Sequence, residues 1–529
     1  MDQQHEVNII VFLCSWNPHA AFQAILDQRR PIPTEIKMVR IPCSGRINKT
    51  LLFKSFAMSA DGVAVIGCPS GSCRYGLGTQ NSEINVHDTR AILDLLGIRK
   101  DRLKMATFFP DQAHELLTFL NEFRDEIVNL GKSRLKMPVK EFHEQVTKTI
   151  PEIINQYNIT ACIDCGKCTS ACPLALVGRP FSPRAIASAT VNRSSLTELH
   201  NDIFGCLTCG ICEERCPSNV RFPEFIKALR HHIWDASLIN TYESHAGFLH
   251  ALMRFMAKPE IQTNRWGFLP KDIRLNPDSK ILFFGGCAPY YDVFFHRTLE
   301  MQTTNILTDS IRLLNFFDIY PTVLDHERCC GHDLLWSGDA VHFRQLAKLT
   351  VDAIHEKQID EVIVTCPECY HTLVHDYAQA GFPLSCKVTH LYDVLEREID
   401  KGSVKFKPFD KKLTYQDSCR LTRFSQKGEL TRKLINRLNV SEFTEMAERG
   451  LSAMCCGNSA WIGCNTYSKA LQVKRLRQAK ATGTDIMVTS CPKCQMHLRC
   501  AMEDPFIGSE ISIELVDLTH ILAQSICWE

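Results

Sequence analysis

The spacing of apolar and polar positions divides the chain into three regimes. Over residues 8–130, short apolar runs alternate with helical spacing. Residues 7–14 (VNIIVFLC), 34–43 (TEIKMVRIPC) and 62–68 (GVAVIGC) read as strands; the stretches between them and residues 88–98 (DTRAILDLLGI) read as helices. That alternation predicts an α/β domain on a parallel sheet. Residues 138–250 are mostly helical, interrupted by two cysteine-dense loops. A linker with three prolines and mixed charge follows at 257–280, and from 281 the strand–helix alternation resumes in two halves joined by residues 401–412.

The two halves repeat one another. Residues 280–287 (KILFFGGC) parallel 411–419 (KKLTYQDSC), 360–369 (DEVIVTCPEC) parallel 484–494 (TDIMVTSCPKC), and 389–395 (THLYDVL) parallel 518–524 (LTHILAQ). Equivalent cysteines are offset by 132, 126, 126, 125 and 125 residues. The constancy predicts two similar α/β units facing one another, with a cleft for a substrate between them. The expected fold is therefore multidomain, α/β and α+β: an N-terminal parallel-sheet domain at 1–135, a helical domain at 136–256, and duplicated α/β domains at 281–400 and 411–529.

Composition adds what this protein does not do. A formal net charge of +1 without any Lys/Arg block gives no reason to expect a nucleic-acid or anionic-membrane partner. No run approaches the ~18 apolar residues of a membrane helix, and the start lacks a secretory pattern. The expectation is a cytoplasmic chain, in which 26 cysteines serve metals or catalysis rather than disulfides.

Those cysteines fall into sets. The duplicated halves each write a lone Cys, a Cys-Cys-Gly and a Cys-x-x-Cys: Cys287, Cys329, Cys330, Cys366 and Cys369, then Cys419, Cys455, Cys456, Cys491 and Cys494. Five thiols exceed what a tetrahedral zinc ion uses, and adjacent cysteines disulfide-bond poorly, so several metal ions sharing ligands fit better. The helical region carries Cys162-x2-Cys165-x2-Cys168-x3-Cys172-Pro173 and Cys206-x2-Cys209-x2-Cys212-x3-Cys216-Pro217. This is the run of two-cluster ferredoxins, in which the fourth Cys ligates the other cluster. Cys162, Cys165, Cys168 and Cys216 then hold one cubane 4Fe–4S cluster, and Cys206, Cys209, Cys212 and Cys172 the second. The prolines are expected to stop each turn from running on into helix. At the N-terminus, strand-end Cys14, Cys43 and Cys68, with Cys73, should converge at the carboxyl edge of the sheet. Structural zinc is the competing reading for every set.

The duplicated motif, over about 281–525, resembles the cysteine-rich (CCG) domain of the catalytic B subunit of heterodisulfide reductases. Related domains occur in iron–sulfur subunits of lactate and glycolate oxidases. The resemblance implies a non-cubane 4Fe–4S cluster in each five-cysteine set, ten catalytic cysteines in all, next to a disulfide substrate. Residues 150–235 resemble the C subunit of the same enzyme. Residues 6–130 resemble the delta subunit of methyl-viologen-reducing hydrogenase on FLCSW, IPCSGR and GCPSGSCRYGLG, which implies a 2Fe–2S cluster on Cys14, Cys43, Cys68 and Cys73. That family's first motif often has a second cysteine where this chain has Asn17.

No G-x-G-x-x-G follows a strand and no phosphate-binding loop is present, so the sequence offers no obvious hydride acceptor and a separate flavoprotein is expected. The reading is an iron–sulfur oxidoreductase subunit that relays electrons between a flavoprotein like the A subunit, an upstream hydrogenase or dehydrogenase, and a small-molecule disulfide. The alternative is a pure electron-transfer subunit for a flavin dehydrogenase acting on a hydroxy acid or acyl-CoA. Cys386, Cys464, Cys500 and Cys527 are left over and read as small buried hydrophobes. His390 and His520 read as helix-terminal or packing groups. Arg420, Arg423 and Lys493 flank expected ligands; they either offset cluster charge, bind a substrate carboxylate, or are solvated.

Overall fold

The structure is a computed structural model that describes residues 7–133, 148–192, 195–234, 241–402 and 404–528. The chain divides into two compact units, Met1–His143 with His245–Asn264 and Glu144–Ser244 with Arg265–Glu529.

In the first unit, strands β1 (Ile9–Cys14), β2 (Ile36–Ile41), β3 (Gly62–Gly67) and β4 (Leu103–Thr107) form an all-parallel sheet in the order β2-β1-β3-β4. β3 is buried at every position, as a central parallel strand covered on both faces must be. One face packs Ile9, Val11, Ala64 and Ile66 against Leu116, Leu120, Phe123 and Ile127 of helix Ala113–Leu130. Helix Lys49–Ala57 contributes Phe53, which lies 4.9 Å from Phe248 and 5.0 Å from Phe255 of helix Phe248–Met256. The order reverses between β1 and β3, and at such a switch point the connections leave in opposite directions and open a crevice beyond the strand ends.

The second unit joins the helical region to both halves of the repeat. The first half holds β5 (Ile281–Phe284), β6 (Glu361–Val364) and β7 (Lys387–His390) in parallel, in the order β5-β6-β7. The second holds β8 (Pro408–Tyr415), β9 (Asn439–Phe443), β10 (Ile486–Thr489) and β11 (Glu514–Asp517), all parallel, in the order β11-β10-β8-β9. Thr322 pairs with Leu282 where β9 would lie in the first half, so the repeat is structural as well as sequential. Both halves share one apolar core, in which Phe283, Ile363 and Leu395 pack with Tyr415, Leu434 and Ile521.

Pro173 does not act as a terminator, whereas Pro217 stands in a turn after helix Ile211–Glu214 as expected. Pro173, Pro367 and Pro492 stand in the first turn of helices Pro173–Leu176, Pro367–His371 and Pro492–Met502, each preceded by a Cys at the N-cap. The missing N–H costs nothing there, and the fixed φ starts the helix. Among the described residues, no helix is long and apolar enough to cross a membrane.

Candidate metal centres

At the switch point of the first sheet, Cys14 ends β1 and Cys68 follows β3; their sulfurs are 3.7 Å apart. Cys43 Sγ lies 4.0 Å from Cys73 Sγ. A Cβ built on Gly78, the first residue of helix Gly78–Leu95, would stand 2.6 Å from Cys43 Sγ and 2.7 Å from Cys73 Sγ. The thiols thus converge over a backbone with no room for a side chain. Burial pushes the Cys68 thiol up to about 12, and the Cys14 and Cys73 sulfurs push the same way. Asn17, where the related family often has another cysteine, instead donates from Nδ2 to Ser72 Oγ at 3.1 Å. It ties the first cysteine loop to the loop between Cys68 and Cys73.

In the helical region, Cys162, Cys165, Cys168 and Cys216 line one cavity with Pro217 and Phe222, and Cys212 of the neighbouring set reaches its wall. Cys172, Cys206, Cys209 and Cys212 are all buried. Burial raises Cys172 to about 12 and Cys206 to about 11; it raises Cys212 further, helped by Cys206, Cys209 and Cys172. Such thiols stay protonated unless a cation stands among them, and a bound metal reverses the balance by taking them as thiolates.

In the first half of the repeat, Cys287, Cys329, Cys330, Cys366 and Cys369 line one cavity of about 30 Å³ together with Tyr291, Asp333, Glu368 and Lys493. Cys287 Sγ and Cys329 Sγ are 2.7 Å apart. Their contact drives the Cys329 thiol well up, and Cys329 in turn does the same to Cys330. Gly331 and Gly457, which follow the paired cysteines, have φ of 83° and 100°. A Cβ there would also meet Phe343 Cδ2 at 2.9 Å or the Ser468 carbonyl oxygen at 2.7 Å, so the third residue of Cys-Cys-Gly must be glycine for two reasons. Each half fastens its lone-cysteine loop to the paired-cysteine loop with a buried carboxylate. In the first, Glu327 accepts from the Gly285 and Gly286 amides at 3.0 and 2.9 Å and pairs with Arg265 at 3.2 Å. In the second, Asp417 accepts from the Gly450 amide at 2.8 Å and from both Arg432 Nη atoms at 2.9 and 3.0 Å.

The second five-thiol set is also brought together. The neighbouring Cys209, Cys419 and Cys456, Cys209 foremost, push the Cys455 thiol well up, while Cys455 and Cys494 draw Cys456 down, and Cys456 Sγ lies 3.3 Å from His497 Nδ1. Cys209 belongs to the ferredoxin-like run, so that set abuts the second half of the repeat. Burial raises Cys491, and Lys493 beside it pairs with Glu368 at 2.5 Å, so the two halves meet at their Cys-x-x-Cys loops. The donor sets fit iron–sulfur clusters: all are thiols, all but the Cys162 set are largely buried, and Gly78 and Gly286 each leave no room for a side chain beside ligand sulfurs.

Between the halves lies a packed polar interface rather than an open cleft. Lys493 Nζ pairs with Asp333 and, at 2.5 Å, with Glu368. His332 Nδ1 lies 3.1 Å from Asp333 Oδ1, and Arg420 Nε donates to His332 Nε2 at 3.1 Å, which makes Nε2 an acceptor and puts the proton on Nδ1. Trp461 Nε1 donates to Tyr291 Oη at 3.3 Å. Glu368 and Lys493 occupy matching positions of Cys-Pro-Glu-Cys and Cys-Pro-Lys-Cys; opposite charges at equivalent sites of a duplication were a legible sign of pairing. Asp333, His332, Arg230 and Gly78 had no comparable signal. Arg420, Arg423 and Lys493 are buried, which removes the solvated reading. His390 caps helix Leu391–Ile399 by accepting from Tyr392 N at 3.2 Å. Its structural counterpart is Asp517, which caps Leu518–Ser525, whereas His520 sits inside that helix and pairs with Asp309 at 2.6 Å. Of the leftover cysteines, Cys464 is exposed and Cys386, Cys500 and Cys527 are partly buried.

Three family models match the chain, and together they describe a modular iron–sulfur protein. Residues 9–131 match the methyl-viologen-reducing hydrogenase delta subunit, 158–220 a 4Fe-4S dicluster domain, and 281–374 with 413–499 the cysteine-rich domain. Among curated proteins the chain is 27% identical over 394 residues to the D subunit of the dihydromethanophenazine:CoB–CoM heterodisulfide reductase of Methanosarcina barkeri, a span of 68% of this chain and 93% of that one. It is 26% identical over 378 residues to the B subunit of the fumarate reductase (CoM/CoB) of Methanothermobacter marburgensis, covering 68% and 71%. It is 22% identical over 398 residues to the EtfAB:quinone oxidoreductase of Syntrophomonas wolfei, covering 64% and 54%. One polypeptide therefore carries hydrogenase-delta-like, dicluster and duplicated cysteine-rich segments, and the relatives it matches include heterodisulfide reductase, fumarate reductase and quinone oxidoreductase proteins.

Proposed function

We propose that the chain is the electron-relaying and disulfide-reducing subunit of a heterodisulfide-reductase-type complex. Cys14, Cys43, Cys68 and Cys73 hold a 2Fe–2S cluster that exchanges electrons with a flavoprotein partner and an upstream hydrogenase or dehydrogenase. The two ferredoxin-like sets hold cubanes, and the two five-cysteine sets hold non-cubane 4Fe–4S clusters. These groups supply one-electron exchange, and everything else is the work of the chain. The observation that carries the reading is the packing of Cys206, Cys209 and Cys212 with Cys455, Cys456, Cys491 and Cys494 in one buried cluster, where Arg423 bridges the Cys209 and Ala453 carbonyls. Thiols of successive sets lie near one another, so electrons cross from one set to the next over short distances inside one compact unit. Lys493, Asp333 and Glu368 hold the two Cys-x-x-Cys loops together, and Tyr291 with Trp461 shields them from water.

A second reading has its own support. The space at the first five-cysteine set is about 30 Å³, far below the ~300 Å³ of a small-molecule pocket. A closed interface of that size favours a pure electron-transfer subunit that serves a flavin dehydrogenase and binds no substrate. Mixing the reduced, cluster-loaded chain with a panel of low-molecular-weight disulfides separates the two. Reoxidation by at least one disulfide is expected; indifference to all of them, with rapid oxidation by a flavoprotein, rejects the disulfide reading.

A further inference from the structure

The two ferredoxin-like sets sit in opposite electrostatic surroundings. Cys162 and Cys165 are exposed, and the arginine that lines their cavity, Arg184, is committed at 2.8 Å to the carboxylate of exposed Asp164. Around the other set stand three buried guanidiniums: Arg230, Arg420 and Arg423, with relative exposures of 0%, 2% and 6%. Arg230 donates to the carbonyls of Cys206 at 2.5 Å, Ile203 at 3.0 Å and Trp336 at 2.7 Å. Arg420 donates to the Thr208 carbonyl at 3.2 Å and its hydroxyl at 3.3 Å. Arg423 donates to the Cys209 carbonyl at 2.7 Å and the Ala453 carbonyl at 3.0 Å. Arg420–Phe424 is one π-turn, a local widening that proteins keep where side chains must be aimed.

Every one of these partners is neutral, and among the described residues none of the three arginines pairs with a carboxylate. A guanidinium buried among carbonyls alone is costly unless an anion stands close. The anions at hand are the cluster-bound thiolates of Cys206, beside Arg230, and of Cys209, beside Arg420 and Arg423, with Cys419 of the neighbouring set next to the same two arginines. A centre held by four thiolates gains negative charge on reduction, so nearby fixed cations favour its reduced form; a centre open to water, with its local arginine neutralised, lacks that support.

We propose that Arg230, Arg420 and Arg423 are positioning residues that make the Cys172/Cys206/Cys209/Cys212 centre the more easily reduced of the two cubanes and thereby set the direction of electron flow, inward from the exposed set toward Cys455. The inference rests on the cofactor reading above and adds a direction to it. Each transfer moves one electron: the exposed centre is oxidised by one unit, the buried centre is reduced by one, and the fixed guanidiniums balance the added charge without a proton or a new bond.

An EPR-monitored redox titration of the full chain tests it, with the two cubane signals assigned through a Cys165→Ser variant. The buried centre is expected to titrate at the higher potential. R423Q should move it to lower potential, R423K should recover most of the shift, and the exposed centre in the same samples should stay in place. Both signals present with equal or inverted potentials, or a buried centre unmoved in R423Q, overturns the directional inference alone. Absence of either cubane from the unsubstituted chain overturns the cofactor reading instead. Where R423Q sheds iron, the order of potentials in the unsubstituted chain decides by itself.

Discussion

Replacing Gly78 by alanine separates the space needed by a metal centre from the stability of the fold around it. The new Cβ would lie 2.6 Å from Cys43 Sγ and 2.7 Å from Cys73 Sγ. Ordinary contacts between such atoms are about 3.5–4.0 Å, so each thiol has to retreat by roughly 1 Å. Metal–ligand distances tolerate only about 0.2 Å, so two of the four ligands lose their place. The backbone raises no objection, because Gly78 is absent from the residues with positive φ and opens an α-helix. Alanine is the better helix former by up to about 1 kcal/mol, less in the first turn. Reconstituted G78A protein should therefore lose about two iron and two sulfide ions per chain, those of one 2Fe–2S centre, while keeping the 4Fe–4S signals. The metal-free form should melt no lower than the unsubstituted metal-free chain. A full iron complement with an unchanged 2Fe–2S EPR signal would refute the assignment, and a clear fall in metal-free Tm would refute the steric argument.

Three further outcomes follow from the same structure. Cys216→Ser should abolish the cubane signal of the exposed set while sparing that of Cys206, Cys209 and Cys212, because the fourth Cys of such a run ligates the other cluster and Cys216 lines the cavity of Cys162, Cys165 and Cys168; loss of the other signal instead would reverse the assignment. Lys493→Met leaves Asp333 and Glu368 buried without their cation and should cost about 3–5 kcal/mol in denaturant unfolding, partly recovered by adding Glu368→Gln. Asp517 is pushed up to about 6 by burial, so the folded chain holds its proton more tightly than the unfolded one, whose aspartate titrates near 3.9. Its contribution is fully present below about pH 4 and lost as pH rises through 6, a swing of about 3 kcal/mol; Asp517→Asn should flatten stability over that window.

Much of the architecture was legible in the chain because hydrophobic spacing and cysteine position reinforce each other. Strands that end on Cys14 and just before Cys68 announced the parallel sheet and its occupied edge, since side chains at the carboxyl ends of parallel strands converge where the order reverses. The constant cysteine offsets disclosed the duplication, and the two sheets reproduce it strand for strand apart from β9. What periodicity could not carry was the contact between modules. The meeting of Thr208 with Ser459 at 2.9 Å, or of Arg423 with Cys209, joins residues more than 200 positions apart. The cleft expected between the halves is filled because Lys493 reaches across to Asp333 and Glu368, and only the opposite charges of the two Cys-Pro-x-Cys loops hinted at it. The role of Pro173 was misjudged for a local reason: at the first helical position proline starts a helix instead of ending one.

The central claim is that 22 of the 26 cysteines hold five iron–sulfur clusters in one chain. Metal and acid-labile sulfide analysis of anaerobically purified full-length protein, read together with its Mössbauer spectrum, addresses that claim most directly. The expected result is about 18 iron ions per chain, distributed over one 2Fe–2S, two cubane and two non-cubane environments. Zinc in place of iron, or iron confined to the two ferredoxin-like sets, would contradict it.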